Sequence, residues 1–255
     1  MGHSVAALTP FAGLVLAAGA GTRLAPLTRH RPKALCPVGG RALVDLAVER
    51  VREVTDAVAV NVHHGREAML GHLGDHVHVS LEEPVALGTA GAIGALRGWL
   101  DGRAVVVVNA DTWCPGGLQA LLEGWDGERI RVLVAGDGPL DDSSLIAGSL
   151  LPGAVAAGLA SEPAGLYEAV WRDALAAGRL ETVAHTGPFV DCGTPASYLT
   201  ANLAASGGAS VVDPAARVQG RVVRSVCWEE AEVRPDEVLT DAIRFSRRGT
   251  VLVRG

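Results

Sequence analysis

Four consecutive valines, Val105 to Val108, constrain the fold of this chain more than any other feature of its sequence. A β-branched run this short is a strand rather than a helix, and with no polar residue on either face it must be covered on both sides, as in the middle of a parallel sheet. The run ends at Asn109-Ala110-Asp111. Upstream, Gly13 to Ala17 reads as a second buried strand feeding a glycine loop, and Val58, Val60 and Val62 and the segment Val77 to Leu81 as two more. Between them, Ala42 to Glu53 places Leu43, Leu46, Ala47 and Val51 on one helical face; Arg66 to Leu73 and Ala90 to Leu100 are the next helices. Alternating strands and helices predict an α/β, Rossmann-like three-layer domain whose ligand crevice lies beyond the carboxyl ends of the strands, where Asp111 falls. Asp137 to Ser144 reads as a turn-rich connection, and Ala164 to Ala177 and Pro195 to Ala205 as helices. Ser206-Gly207-Gly208 reads as a linker, which divides the chain into a domain of residues 1–205 and a tail of residues 206–255 with short, irregularly spaced valine strands.

Length and charge narrow the function classes. The chain has 255 residues, 49% of them hydrophobic, enough for one large core and a small appendage. A formal net charge of −6 offers phosphate polymers and anionic lipid no general attraction, so neither nucleic acid nor membrane is an expected partner. Cys36, Cys114, Cys192 and Cys227 form no CxxC pair and no dense framework, which fits free thiols in a reducing compartment. No apolar run approaches the roughly 20 residues that span a bilayer, and the N-terminus lacks the features of a secretory signal; the expected location is the cytoplasm.

The richest stretch runs from Leu14 to Gly40, LVLAAGAGTRLAPLTRHRPKALCPVGG. Gly19 and Gly21 remove side chains where backbone N–H groups from Leu16, Ala17, Ala18, Ala20 and Thr22 would approach phosphate oxygens, and Arg23 and Lys33 add full positive charge. Pro26, Pro32 and Pro37 stiffen the excursion. A dinucleotide fingerprint wants a third glycine where Leu24 stands, and a P-loop wants GK[ST]; neither is present. On its own, a strand followed by GAG is equally an ordinary tight turn. The ordered pair G-x-G-T-R-L-x-P-L-T and P-K-x-L-x-P-V-x-G, however, resembles the signature of the sugar-1-phosphate nucleotidyltransferases.

That resemblance continues through Asn109-Ala110-Asp111 and Phe189-Val190-Asp191-Cys192-Gly193-Thr194-Pro195, the family segments whose aspartates hold the catalytic metal. Taken singly, Asp111 also reads as a helix cap and Asp191 as a turn residue. What the resemblance implies is a nucleotidyltransferase domain with a mixed, mostly parallel sheet that joins an NTP to a sugar 1-phosphate with Mg²⁺ as cofactor. Asp111 and Asp191 would hold the metal, a hard cation commonly bound by one or two carboxylates plus substrate phosphates. Lys33 would contact the α-phosphate and the incoming sugar phosphate, and Arg23 would steady the leaving pyrophosphate. No serine or cysteine carries a nucleophile elbow or a partnered histidine, and none of the histidines shows metal-ligand spacing.

Glu83, with Gly88, Thr89 and Ala90 in the L-G-T-A-G run, resembles the family's base-recognition region in the form typical of the guanylyl branch acting on mannose 1-phosphate, with UTP and CTP as the competing nucleotides. The same glycines also read simply as a glycine-rich helix start. Asn109, Gly148 and Glu162 are the expected sugar contacts, although the family's E-K-P segment has no counterpart here, which keeps open a silent paralogue that binds sugar nucleotide and regulates a partner. The tail resembles the start of a left-handed β-helix of about two coils, fewer than the three that stacked repeats usually need. It would pack on the catalytic domain or on a second copy in a homodimer. Three cysteines adjoin the motifs, as small apolar fillers or as an oxidation-sensitive set.

Overall fold

The computed structural model describes residues 11–136 and 138–253; Asp137 of the expected connection and the outermost residues of both expected units lie outside them. A seven-stranded sheet forms the centre, from β1 (Phe11–Leu16), β2 (Val58–Val62), β3 (His78–Leu81), β4 (Ala104–Asn109), β5 (Ile130–Ala135), β6 (Leu145–Leu151) and β7 (Leu180–His185). Their order across the sheet is β7-β5-β6-β4-β1-β2-β3. All neighbours run parallel except β6, which is antiparallel to both β4 and β5, so the sheet is mixed and mostly parallel.

The valine run sits where its sequence demands. Val105 to Val108 are at most 4% exposed. Val106 and Val108 join a core with Val44, Ala47 and Val51 of α1 (Leu43–Arg52), whereas Val105 and Val107 join a separate core with Ala90, Ala92 and Ile93 of α3 (Gly88–Ala95). These two cores on opposite faces of one sheet are the three layers. Between them in sequence, α2 (Arg66–Leu73) starts after Gly65, whose left-handed φ of 63° reverses the chain.

Two expected helices differ in detail. Ala90 to Leu100 is broken at Leu96 into α3 and a four-residue turn, Arg97–Leu100. Gly94, near the break, packs against the backbone of Ala160, whose carbonyl oxygen would lie 2.2 Å from a Cβ. Ala164 to Ala177 contains a widened π-helical turn, Tyr167–Trp171, followed by the α-helix Arg172–Ala176. Pro195–Ala205 is a helix as expected, with Thr194 and Ser197 forming a reciprocal capping box at its start. Among the described residues, no helix is long and apolar enough to cross a membrane.

In the tail, Val211–Val212, Arg217–Val218 and Arg221–Val223 pair in parallel with Val226–Cys227, Glu232–Val233 and Val238–Thr240. Val226–Cys227 pairs in turn with Ala242–Arg244, and the antiparallel strand Thr250–Leu252 covers the last edge. The coils enclose Cys227, Ala231, Val233, Leu239 and Ala242. On the side facing the domain, Val226, Trp228, Ile243 and Phe245 share a core with Leu24, Leu27, Cys36, Val38, Leu43 and Tyr198. Too short to stack alone, the coils bury their apolar side against the rest of the same chain.

Candidate active site

Strands β1 and β4 are neighbours with Leu16 opposite Asn109, and Ala110 N–H donates to Leu16 O at 2.9 Å. The glycine loop and the Asn109-Ala110-Asp111 turn therefore leave the sheet side by side. Ala17 N–H donates to Asn61 Oδ1 at 2.7 Å, Asn61 Nδ2 donates to Glu82 at 2.7 Å, and the other Glu82 oxygen accepts Leu87 N–H at 2.7 Å. Asn61 and Glu82 are 2% and 1% exposed. This buried relay ties the start of the glycine loop to the start of α3, and neither residue was singled out from sequence. The readable signal was one polar residue in the otherwise apolar strand VAVNV.

Three single turns of 3₁₀ helix, Thr22–Leu24, Leu27–Arg29 and Lys33–Leu35, fold the loop over the crevice. Gly21 has φ 62°, and a Cβ there would lie 2.9 Å from both Lys33 Cβ and Thr28 Cγ2. Glycine at this position is what lets Lys33 come beneath the loop. Gly19 differs, for a Cβ on it would meet no protein atom within 4 Å.

Lys33 is 7% exposed; its Nζ donates to Asp111 Oδ2 at 2.8 Å and lies 3.5 Å from Asp191 Oδ1. Arg23 Nη2 lies 3.5 Å from Asp191 Oδ2. Backbone pairing brings the two carboxylates together. Thr112–Trp113 forms an antiparallel ribbon with Val190–Asp191 in which Asp191 faces Thr112, and Cys192 N–H donates to Asp111 O at 3.0 Å. Gly193 makes room, since a Cβ would lie 2.8 Å from the Arg23 guanidinium and 3.0 Å from both Asp191 oxygens. The four residues assigned from sequence thus form one alternating charge cluster, of which Arg23, Lys33 and Asp111 line a cleft of about 160 Å³ together with Leu16, Ala17, Gly19, Gly21, Thr22 and Gly193, the neighbour of Asp191 but one. Ala18 and Ala20 belong to the same loop but are not part of that lining.

A second cleft of about 200 Å³ shares Leu16 with the first and is lined by Asn109, Gly148 and Thr89. It also holds Asp141, Asp142, Tyr167, Glu168 and Trp171, which sequence reasoning did not select. The widened turn Tyr167–Trp171 brings the last three to one wall, and no spacing rule reveals such a turn in advance.

Other expected contacts lie elsewhere. Glu162 is exposed and lines neither cleft, and its carbonyl oxygen packs where a Cβ of Gly91 would be. Glu83 is also outside them and pairs with Arg66 at the surface. The space at Gly88 is filled by Ala164 O, 2.6 Å from a would-be Cβ. Ala90 N–H donates to that same oxygen and Thr89 Oγ1 accepts Leu166 N–H at 2.7 Å. The small residues of this helix start therefore admit the chain's own segment 162–166, while Thr89 also lines the second cleft.

The cysteines are buried and free. Burial pushes the thiols of Cys36 and Cys192 up to about 12 and that of Cys227 up to about 11, and raises Cys114 as well. Such thiols carry almost no reactive thiolate at neutral pH, so blocking native protein with iodoacetamide at pH 7.5 is expected to leave activity unchanged. The unfolded chain ionises its thiols near 9, below the folded values, so the stability they contribute is complete below pH 9 and is lost as pH rises from there toward 12. Urea midpoints at pH 8 and pH 10 check the sign: the midpoint falls at pH 10, and by less in a Cys36→Ala, Cys192→Ala protein compared with its own pH 8 value.

Residues 12–135 match the family model described as nucleotidyl transferase. Among curated proteins, the chain is 36% identical over 136 residues to N-acetylmuramate alpha-1-phosphate uridylyltransferase of Caulobacter vibrioides, covering 48% of this chain and 56% of that one. It is also 36% identical over 122 residues to mannose-1-phosphate guanyltransferase of Pichia angusta, covering 44% and 33%. The matched regions thus span at most about half the length of these relatives. Solved structures extend the likeness in fold alone. One described as mannose-1-phosphate geranyltransferase from Thermus thermophilus superposes with a TM-score of 0.68 at 18% identity over 91% of each chain. UDP-glucose pyrophosphorylase from Acinetobacter baumanii gives 0.60 at 16% identity, over 76% of this chain and 93% of that one. Residues 12–135 are thus similar to nucleotidyl transferases, and the relatives they resemble differ in the nucleotide that their names give.

Proposed function

We propose that this protein transfers a nucleotidyl group from an NTP to a sugar 1-phosphate, releasing pyrophosphate. The observation that carries this reading is the buried Lys33 ammonium held between Asp111 and Asp191 at the mouth of the glycine loop. In this reaction an oxygen of the sugar phosphate forms the new bond to the α-phosphorus as the bond to the β-phosphate oxygen breaks. The attacking phosphate has a second pKa of about 6 and is largely dianionic near neutrality, so no protein base is required. Backbone N–H groups from Ala18 to Thr22 hold the triphosphate, with the open face of Gly19 admitting it and the Ala17 N–H tied to Asn61. Lys33 neutralises charge at the α-phosphate and the incoming sugar phosphate, and exposed Arg23 steadies the departing pyrophosphate. The donor set fits a divalent ion, with two partly exposed carboxylates converging on one point and no third acidic, histidine or cysteine ligand among the described residues. Asp111 and Asp191 would hold Mg²⁺, which would supply further charge neutralisation at the phosphates.

GTP is the favoured nucleotide on the L-G-T-A-G form, and UTP is the second reading because a uridylyltransferase is among the relatives at 36% identity. For the sugar, the second cleft carries Asp141, Asp142 and Glu168 and no lysine, arginine or histidine among its described lining residues. Like-charge repulsion therefore favours a neutral or amino sugar over one bearing its own carboxylate, by at least about tenfold in kcat/KM. A panel of four NTPs against glucose, mannose, glucosamine and N-acetylmuramate 1-phosphates with Mg²⁺, read as pyrophosphate release, tests both points. Release with no combination, alongside measurable NTP binding, would replace the transferase reading with that of a nucleotide-binding regulator. Fastest release with the N-acetylmuramate ester would overturn the charge argument.

A further inference from the structure

The contacts of the glycine loop with the tail point to a use for the C-terminal coils. We propose that they are a brace that holds the nucleotide-binding loop in its competent shape, with Trp228 and Glu229 as positioning residues. The proposal rests on the transferase reading for its kinetic consequence but not for the brace itself.

The loop's own backbone cannot set its place on the sheet. From Gly21 to Leu35 its backbone hydrogen bonds join residues only three or four apart, including Leu24 N–H to Gly21 O and Leu35 N–H to Pro32 O, and the first longer one is Leu43 N–H to Cys36 O at the loop's end. Such turns fix local shape but not the position of the whole. That position comes from side chains, and many of them meet the tail. Leu24 and Leu27, both fully buried, lie in the core that contains Trp228, Ile243 and Phe245. The Arg31 guanidinium lies 4.3 Å from the Trp228 ring centroid and pairs with Glu229, while His30 packs at 4.7 Å on Phe245. Arg31 Nε is buried without an acceptor, and Glu229 is the hydrogen-bond partner that its side chain finds among the described residues. Its place is therefore set by the tail and not by the loop. At the loop's far end, buried Trp228 donates its Nε1–H to Tyr198 OH at 3.0 Å, and that hydroxyl donates to Pro37 O. Trp228 thus reaches both flanks of Lys33, two residues beyond Arg31 and four before Pro37.

Lys33 itself is also held by Asp111 and Asp191, so a loosened brace leaves the reacting charges in place once nucleotide is bound. What falls is the fraction of free protein with the loop in its binding shape, and apparent affinity falls with that fraction. The test uses the full chain with Glu229→Gln and Trp228→Phe, and with Glu229→Asp as the charge-keeping control. The expected result is a rise in KM for NTP of about threefold in Glu229→Gln and about tenfold in Trp228→Phe, kcat within about twofold of wild type, and near-wild-type behaviour in Glu229→Asp. Amide hydrogen exchange of residues 21–36 in nucleotide-free protein rises in the first two variants and not in Val238→Thr, an exposed substitution elsewhere in the tail. Folded variants with unchanged loop exchange and unchanged KM for NTP would overturn the brace. If the wild type turns over no substrate pair, the transferase reading fails, and loop exchange alone still decides whether the tail holds the loop.

Discussion

Asp191→Asn is expected to lower the rate of pyrophosphate release at least about 100-fold, with the thermal transition little changed. The carboxylate lies 3.5 Å from both Lys33 and Arg23, so its loss unbalances two cations and removes one of two oxygen-bearing side chains that can hold a metal. Removing a single preorganised electrostatic group from a site commonly costs 10²–10³ in rate, and this one acts on several partners. The fold should survive because the ribbon that carries Asp191 is registered through backbone pairing with Thr112–Trp113, and the side chain itself is partly exposed. Steady-state pyrophosphate release and a melting curve on the same preparation provide the check. Near-normal turnover would remove Asp191 from the chemistry.

The second large effect concerns stability. Glu82→Ala is expected to cost about 2–4 kcal/mol, because it leaves Asn61 Nδ2 and Leu87 N–H as buried donors without an acceptor, each worth roughly 1–3 kcal/mol. Its neighbour offers a sharp contrast. Glu83→Ala removes an exposed pair with Arg66 and should change stability by about 0–1 kcal/mol. Since Asn61 also accepts the Ala17 N–H, Glu82→Ala should weaken nucleotide binding beyond what its stability loss explains. Urea unfolding of the two variants side by side, with nucleotide titrations on the folded proteins, separates the buried carboxylate from the surface one. Equal midpoints would show that the relay contributes nothing.

The difference between these adjacent glutamates shows what could and could not be read from the chain. The valine run, the strand-helix alternation and the loop from Leu14 to Gly40 each act locally, through side-chain periodicity or steric demand, and so the sheet, its layers and the glycine loop were legible. Asp111 and Asp191 are 80 residues apart in sequence but were reachable because each stands in a motif. The relay of Asn61 and Glu82 was not, since its meaning lies in hydrogen bonds between strand ends that only the folded sheet brings together. Glu83 is the residue the motif selects, whereas the burial that gives Glu82 its structural role is invisible in the sequence. The L-G-T-A-G glycines were read as room for a ligand, and they do mark a close approach. Backbone at Glu162 and Ala164, some 70 residues downstream, packs against Gly91 and Gly88. The π-helical turn likewise escaped a reading based on 3.6-residue periodicity, and with it the wall formed by Tyr167, Glu168 and Trp171.

At the centre of the account is a single charge cluster in which both aspartates serve one reaction centre. A double-mutant cycle on pyrophosphate release addresses this most directly, using Asp111→Asn, Asp191→Asn and the protein carrying both. Groups that act as a unit lose their contribution together, so the double variant is expected to fall no more than about tenfold below the slower single variant. Losses that multiply in full would mean that the two carboxylates work independently, and the shared centre would have to be abandoned.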